Sequence, residues 1–175
     1  MSPIDDPRIG NVDTLIAAMA EQLRAQLAAR KRADAAMVGI HTGGVWVAER
    51  LHHLLGLQTP LGSLDISFYR DDFTRIGMNP QVRPSDLPFD IDNRHIILVD
   101  DVLHTGRTIR AVVNELFDFG RPASVTLAVL VDRGGRELPI AAAFAAARLA
   151  LPAGQRLRLA RADDGRFSFA VTGNV

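Results

Sequence analysis

An apolar run that ends in two neighbouring acids is the part of the chain best suited to chemistry. Residues 96–99 are apolar, Asp100 and Asp101 follow, and residues 104–108 form a short loop, here called the phosphate loop. Open α/β sheets bind ligands at the carboxyl ends of their strands, and a carboxylate accepts hydrogen bonds from both hydroxyls of a sugar cis-diol. Peptide N–H groups at the start of the next helix would lack partners, which suits an anion. The segment therefore predicts a site for a phosphorylated ribose.

Two further loops carry candidate ligand contacts. Thr42, Gly43 and Gly44 follow an apolar segment, and glycines there leave peptide N–H groups open to an anion. A plain turn is the alternative interpretation. A third apolar segment ends at Asp132 and Arg133, which are either site residues or a surface ion pair that contributes little to stability.

The elements that must position these loops alternate along the chain. Apolar spacing and breakers predict helices over residues 11–32, 45–55 and 108–119 and strands over 36–40, 61–69, 96–99 and 124–131, followed by a hairpin over 157–171. Alternating strands and helices predict an α/β fold, an open and mainly parallel sheet flanked by helices. The polar segment 70–92 is long enough to be a lid or a disordered loop.

Composition narrows the function classes. The chain has 175 residues, enough for one domain, and 20 basic residues balance 20 acidic ones, so the whole-chain charge indicates no nucleic-acid partner. There is no cysteine, which excludes disulfides and thiolate chemistry. No apolar run is long enough for a membrane span and no signal peptide is evident, so we expect a cytoplasmic protein without a membrane partner. Lys31 is the only lysine, which excludes a lysine Schiff base elsewhere.

The acids and the loop together resemble the motif of the type I phosphoribosyltransferases, in which two acids precede a Thr-Gly-x-Thr loop. Within that family the chain is most similar to the PyrR type, uracil phosphoribosyltransferases that in many bacteria also attenuate transcription of pyrimidine genes. Four other segments share the resemblance: 38–44, 64–72, 120–130 and 131–140.

The resemblance implies the reaction of uracil with 5-phosphoribosyl 1-pyrophosphate (PRPP) to give UMP and pyrophosphate. It implies a single domain over residues 1–175, a small hood built from terminal segments, a lid at about 70–92, Mg²⁺ held mainly by PRPP and water, and a homodimer or larger assembly. Asp100, Asp101 and Arg133 are the expected catalytic residues, and Val131, Asp132 and Arg133 the expected base contacts. PRPP contacts are expected from Thr42, Gly43, Gly44, Arg70, Asp100, Asp101, His104, Thr105, Gly106, Arg107 and Thr108.

Two departures from the family pattern bear on these expectations. Gly43 stands where many relatives have arginine, which removes one guanidinium from the expected pyrophosphate site. Residues 141–147 are Ala-Ala-Ala-Phe-Ala-Ala-Ala, where the family commonly has charged residues, and this argues against binding of mRNA.

Catalysis is therefore the first hypothesis. A UMP-responsive RNA-binding attenuator is the second, and a catalytically silent nucleotide sensor the third. A phosphorylated receiver domain, which also has paired acids after a strand, is disfavoured because the chain lacks the distant lysine such a domain needs.

Overall fold

A five-stranded parallel sheet forms the centre of the computed structural model, which describes residues 6–66 and 85–173. Its strands lie in the order β2-β1-β3-β4-β5, and every neighbouring pair is parallel. Their bounds are β1 Ala36–Ile40, β2 Gly62–Leu64, β3 His95–Leu103, β4 Ser124–Asp132 and β5 Phe144–Arg148. The predicted open parallel sheet is confirmed.

Both faces of the sheet are covered. Helices α1 (Val12–Ala29) and α2 (Gly43–Leu55) pack on one face, and α3 (Arg107–Phe119) packs on the other. In β3, Ile97 and Val99 belong to the first core and Ile96 and Leu98 to the second. Each such side chain contributes about 1.5–3 kcal/mol by burial. The continuous apolar runs of the central strands follow from this double coverage.

The predicted C-terminal hairpin is also confirmed, as β6 (Arg156–Arg161) paired antiparallel with β7 (Phe167–Thr172). Its buried side chains Leu159, Phe167 and Phe169 join the core on the α1 and α2 face. The alternation of apolar residues that predicted the hairpin is the face it turns to that core.

Helix α1 starts as expected but ends earlier. Asn11 Oδ1 accepts the Thr14 N–H at 2.9 Å and caps the helix. The helix ends at Ala29 rather than near residue 32, and Lys31 has a left-handed φ of 54°. The basic residues 30–32 thus follow the helix instead of forming its last turn.

Strand β3 is longer than predicted, and this changes where the acids lie. Pairing with β1 ends at Val99, but pairing with β4 continues to Leu103 opposite Asp132. Asp100 and Asp101 are therefore inside a strand, not beyond its end as expected. On the β1 side the strand pairing has already ended at Val99, and the start of α2 lies beside them instead.

The alanine-rich segment contains the strand β5, which sequence periodicity did not predict. Phe144 and Ala146 pack against the core on the α1 face, and Ala142 and Ala145 against the other core. Small side chains allow the edge of the sheet to be covered on both faces. The alanine-rich segment is therefore an edge strand that packs against both cores.

The predicted lid and second strand need correction at their boundaries. Strand β2 ends at Leu64, and residues 67–84 lie outside the described residues, with them Arg70 and most of the expected lid. The end of that segment packs on the sheet: Ser63 and Asp86 exchange two backbone hydrogen bonds of 2.7 and 2.8 Å, and Ile91 is buried. Residues 86–91, at the end of the predicted lid, thus lie against the sheet.

No helix in the described ranges has the length and apolarity that crossing a membrane requires.

Candidate active site

Three loops follow the carboxyl ends of β1, β3 and β4, which are neighbours in the sheet. Because the strands are parallel, these ends lie at one edge, and the loops with the predicted residues meet there. The hairpin β6–β7 also reaches this part of the molecule, where β6 contacts β3.

The acids of β3 lie directly against the start of α2. A side chain at Gly43 would collide with Asp101 Oδ2, and its Cβ would be 2.7 Å from Asp101 Cγ. A Cβ at Gly44 would lie 2.6 Å from the Val99 carbonyl oxygen and 3.1 Å from Asp100 Oδ1. The close approach of α2 to β3 therefore requires glycine at position 44, where a Cβ would meet backbone atoms, and at position 43 unless the Asp101 carboxylate moves. The plain-turn interpretation is wrong here, because Gly43 and Gly44 form the first turn of the helix.

The two carboxylates differ in exposure. Asp100 is buried, and its Oδ1 accepts the Asp101 N–H at 2.9 Å. Asp101 is half-buried, and its Oδ1 accepts the Val102 N–H at 2.9 Å. Asp101 forms no salt bridge with any residue that the structure describes, so its second oxygen is available to a ligand. Thr42, at the cap of α2, is exposed and its side chain makes no capping hydrogen bond.

The phosphate loop turns sharply into α3. Gly106 has a left-handed φ of 93°, and a Cβ there would come within 3.0 Å of the Ile140 side chain. The Arg107 N–H donates to Thr105 Oγ1 at 3.2 Å, so one of the N–H groups expected to be free has a partner. Thr108 lies in the first turn of α3, which has no side-chain cap. The remaining first-turn amides and the helix dipole still favour an anion.

His104 and Arg107 face the loop between β4 and β5, here called the β4–β5 loop (residues 133–143). His104 Nδ1 lies 2.9 Å from the Gly134 carbonyl oxygen. Arg107 pairs with Glu137, with both contacts at 2.8 Å. These two predicted PRPP contacts therefore join the phosphate loop to the β4–β5 loop.

Asp132 accepts hydrogen bonds from three partners that the sequence did not identify. Its Oδ1 accepts the Gly134 N–H at 3.0 Å, and its Oδ2 accepts Arg136 at 2.6 Å and Arg148 at 3.1 Å. Burial opposes ionisation, but the hydrogen bonds from Arg136 and Gly134 and the charges of Arg136 and Arg148 outweigh it and lower the pKa of Asp132. Its predicted contact with the base stays a prediction, and each of its oxygens already accepts at least one hydrogen bond within the protein.

Arg133 does not pair with Asp132, so the predicted alternative of a surface ion pair between them is wrong. Its Nε is buried and has no hydrogen-bond partner among the described residues. Burial and the nearby charge of Arg156 lower the pKa of the Arg133 guanidinium. A buried donor without a partner is costly unless a ligand satisfies it, which makes Arg133 a candidate for ligand binding. Val131 precedes it as a buried residue of β4.

Metal binding by side chains alone has little support. No group of three or more His, Cys, Asp or Glu side chains in residues 6–66 and 85–173 is arranged to hold an ion. The oxygen donors of Asp100 and Asp101 suit Mg²⁺, which usually keeps several waters and binds substrate phosphates as well. The acids thus fit an ion that a phosphorylated substrate brings with it.

Comparisons with known proteins agree with this geometry. A model of the phosphoribosyl transferase domain matches residues 8–146. The bifunctional protein PyrR of Nitrosococcus oceani is 56% identical over 167 residues, covering 94% of each chain. That of Pseudomonas aeruginosa LESB58 is 58% identical over 149 residues, covering 85% of this chain and 88% of that protein.

A solved structure supports the fold independently. The hypoxanthine phosphoribosyltransferase of Trypanosoma cruzi superposes with a TM-score of 0.63 at 20% identity, covering 79% of this chain and 77% of that one. At this identity the likeness concerns the fold.

Proposed function

This chain belongs to the phosphoribosyltransferase family, as a PyrR-type member and a pentosyltransferase, and from that premise we propose that it converts uracil and PRPP to UMP and pyrophosphate. The observation that carries the proposal is the junction of α2 with β3. There Asp101 keeps an oxygen free beside the glycine-bordered start of α2.

Asp100 and Asp101 would hold the ribose hydroxyls, and the phosphate loop would hold the 5′-phosphate. The loop can do so through the first-turn amides of α3 that follow Arg107, because the N-cap residue Gly106 has no side chain to accept from them. Anchoring both ends of the sugar fixes C1′ relative to the base. Such positioning supplies a large part of the rate when little covalent chemistry falls to the protein.

In the reaction, uracil N1 forms a bond to C1′ while the bond from C1′ to the pyrophosphate oxygen breaks. The N1 proton is lost, and positive charge develops on the ribose. Carboxylates beside the ring stabilise that charge electrostatically. We infer that Arg133 donates from its unpartnered Nε to a uracil carbonyl oxygen.

Pyrophosphate would bind at the start of α2, on the hydroxyl of Thr42 and the backbone amides of Gly43 and Gly44. The arginine of relatives is excluded at position 43 unless Asp101 moves, because a side chain there meets its carboxylate. When bound, Mg²⁺ would neutralise charge on the leaving pyrophosphate. The predicted contact by Arg70 remains a prediction.

A product assay tests the proposal. Purified protein is incubated with PRPP and Mg²⁺ and with uracil, hypoxanthine or guanine in turn, and nucleotides are resolved by anion-exchange chromatography. We expect UMP from uracil, and loss of the product in Asp101→Asn. Nucleotide binding without any product would favour the silent sensor instead, and product only from a purine would refute the proposed base.

RNA-dependent regulation is the second candidate, and the name of the relatives, bifunctional protein PyrR, at 94% coverage favours it. The chain offers exposed arginines for phosphate contacts, since Arg156 and Arg158 lie on one face of β6. UMP-enhanced binding to a pyrimidine-operon leader RNA, weakened steeply by salt, would support it. Binding that is absent at low salt, with intact UMP synthesis, would leave the enzyme alone.

A further inference from the structure

The backbone carbonyls of the phosphate loop are held from behind by the β4–β5 loop. The His104 carbonyl oxygen accepts Arg136 Nη1 at 2.7 Å. The Thr105 carbonyl oxygen accepts the N–H groups of Glu137 at 2.9 Å and Leu138 at 3.2 Å. Two consecutive carbonyls are therefore turned toward one neighbouring segment.

Peptide planarity converts this into a statement about the amides. In a trans peptide the C=O of one residue and the N–H of the next point in opposite directions. With the His104 and Thr105 carbonyls turned toward residues 136–138, the N–H groups of Thr105 and Gly106 are directed away from that segment. Those two amides are donors that a 5′-phosphate would need.

Arg136 can hold this arrangement because its other end is fixed. Its Nη2 donates to Asp132 Oδ2 at 2.6 Å, and Asp132 is the last residue of β4, paired in register with Leu103 of β3. The Arg136 side chain is 25% exposed, so the contact is partly shielded from water. A planar guanidinium can serve two acceptors at fixed geometry, whereas an ammonium group on a flexible stem cannot.

We propose that Arg136 is a positioning residue for the phosphate loop, which through the His104 carbonyl orients the Thr105 amide toward the 5′-phosphate without touching the ligand. The inference rests on the proposed function, since it assumes that this loop binds the phosphate. Arg136 acts through the His104 carbonyl, and its loss should weaken recognition of the phosphate more than recognition of the rest of the nucleotide.

Arg148 provides a matched control. It donates to the same Asp132 oxygen at 3.1 Å, but it lies on β5 and its described hydrogen bond does not reach the phosphate loop. Arg148→Gln therefore removes one partner of Asp132 and leaves the carbonyls of the loop in place.

The test compares the affinities of UMP and uridine, measured by calorimetry on the full chain. Their ratio reports the contribution of the 5′-phosphate. We expect the ratio to fall about tenfold in Arg136→Gln and also to fall in Arg136→Lys, which keeps the charge but not the fork. Uridine affinity should change less than twofold, and Arg148→Gln should keep the wild-type ratio.

The possible failures are distinct. A wild-type ratio in Arg136→Lys, or an equal fall in Arg148→Gln, overturns the role of Arg136 while the phosphate site stands. A wild-type protein that binds UMP no more tightly than uridine overturns the phosphate site itself, and this inference with it. If Arg136→Gln fails to fold, Arg136→Lys decides alone.

Discussion

Two carboxylates near the carboxyl ends of neighbouring strands have opposite surroundings. Asp101 of β3 accepts one backbone N–H and keeps its other oxygen beside Gly43. Asp132 of β4 accepts a backbone N–H and two guanidinium groups, which leaves no oxygen free. The same residue type at the same edge of the sheet is thus suited to a ligand in one strand and to structure in the other.

The number of partners, rather than position in the sheet, distinguishes the two carboxylates. Asp132 uses both oxygens in hydrogen bonds within the protein, whereas Asp101 has an oxygen that can accept from a sugar diol. Substitutions at or beside Asp101 and Asp132, and a change of pH, separate the two carboxylates by experiment.

The largest effect is expected for Asp101→Asn. An amide keeps the size of the side chain but loses the charge that stabilises the developing cation, so kcat should fall by about 10²–10³-fold. The free energy of unfolding should stay within about 0.5 kcal/mol, because the side chain has no ion pair among the described residues. Steady-state kinetics and urea unfolding measure the two quantities, and unchanged turnover would contradict the assignment.

For Asp132→Asn the opposite profile is expected. The substitution weakens hydrogen bonds to two charged partners, so the free energy of unfolding should fall by about 2 kcal/mol. Turnover should suffer less than in Asp101→Asn, because Asp132 does not contact the ribose in this account. A free energy of unfolding equal to that of wild type would show that the hydrogen bonds of Asp132 do not stabilise the fold.

Gly43→Ala alters the space beside Asp101 without altering its charge. The new Cβ would displace the carboxylate, so we expect KM for PRPP to rise about tenfold, a loss of about 1.4 kcal/mol. Gly56→Ala is a control for adding a methyl group to α2, since no atom lies within 4 Å of a Cβ there. Its left-handed φ of 61° predicts a loss of stability without a change in KM. A normal KM in Gly43→Ala would show that Asp101 tolerates displacement.

The smallest expected effect is the acid response of Asp132. Its pKa is lowered in the folded state, so its contribution to stability is present above its unfolded pKa of about 3.9 and is lost as pH falls through the folded value. Wild type should therefore lose more stability between pH 5 and pH 3 than Asp132→Asn does. Urea unfolding at both pH values measures this, and parallel losses would mean that Asp132 is not the group that titrates.

The sequence predicted the surroundings of Asp101 better than those of Asp132. The acids, the phosphate loop and α3 are adjacent in the chain, so their spacing alone indicates a sugar-phosphate site. The partners of Asp132 are not adjacent: Arg148 is sixteen residues away, on a strand whose alanines carry no alternation. The length of β3 was missed for the same reason, because it depends on pairing with β4.

The loop glycines have a second reason that the sequence did not show. Anion access, the reason inferred from sequence, stays a prediction, whereas the structure shows that α2 approaches β3 so closely that a Cβ at Gly44 would meet backbone atoms and one at Gly43 the Asp101 carboxylate. Such close approach between elements has no local pattern. It becomes visible only when the register of the sheet is known.

A crystal structure with UMP bound is the sharpest test of the site at the ends of β1, β3 and β4. We expect ribose hydroxyls within hydrogen-bond distance of Asp100 or Asp101 and the 5′-phosphate on the amides of residues 105–108. A nucleotide whose phosphate lies elsewhere, with Asp101 contacting no sugar hydroxyl, would refute this assignment.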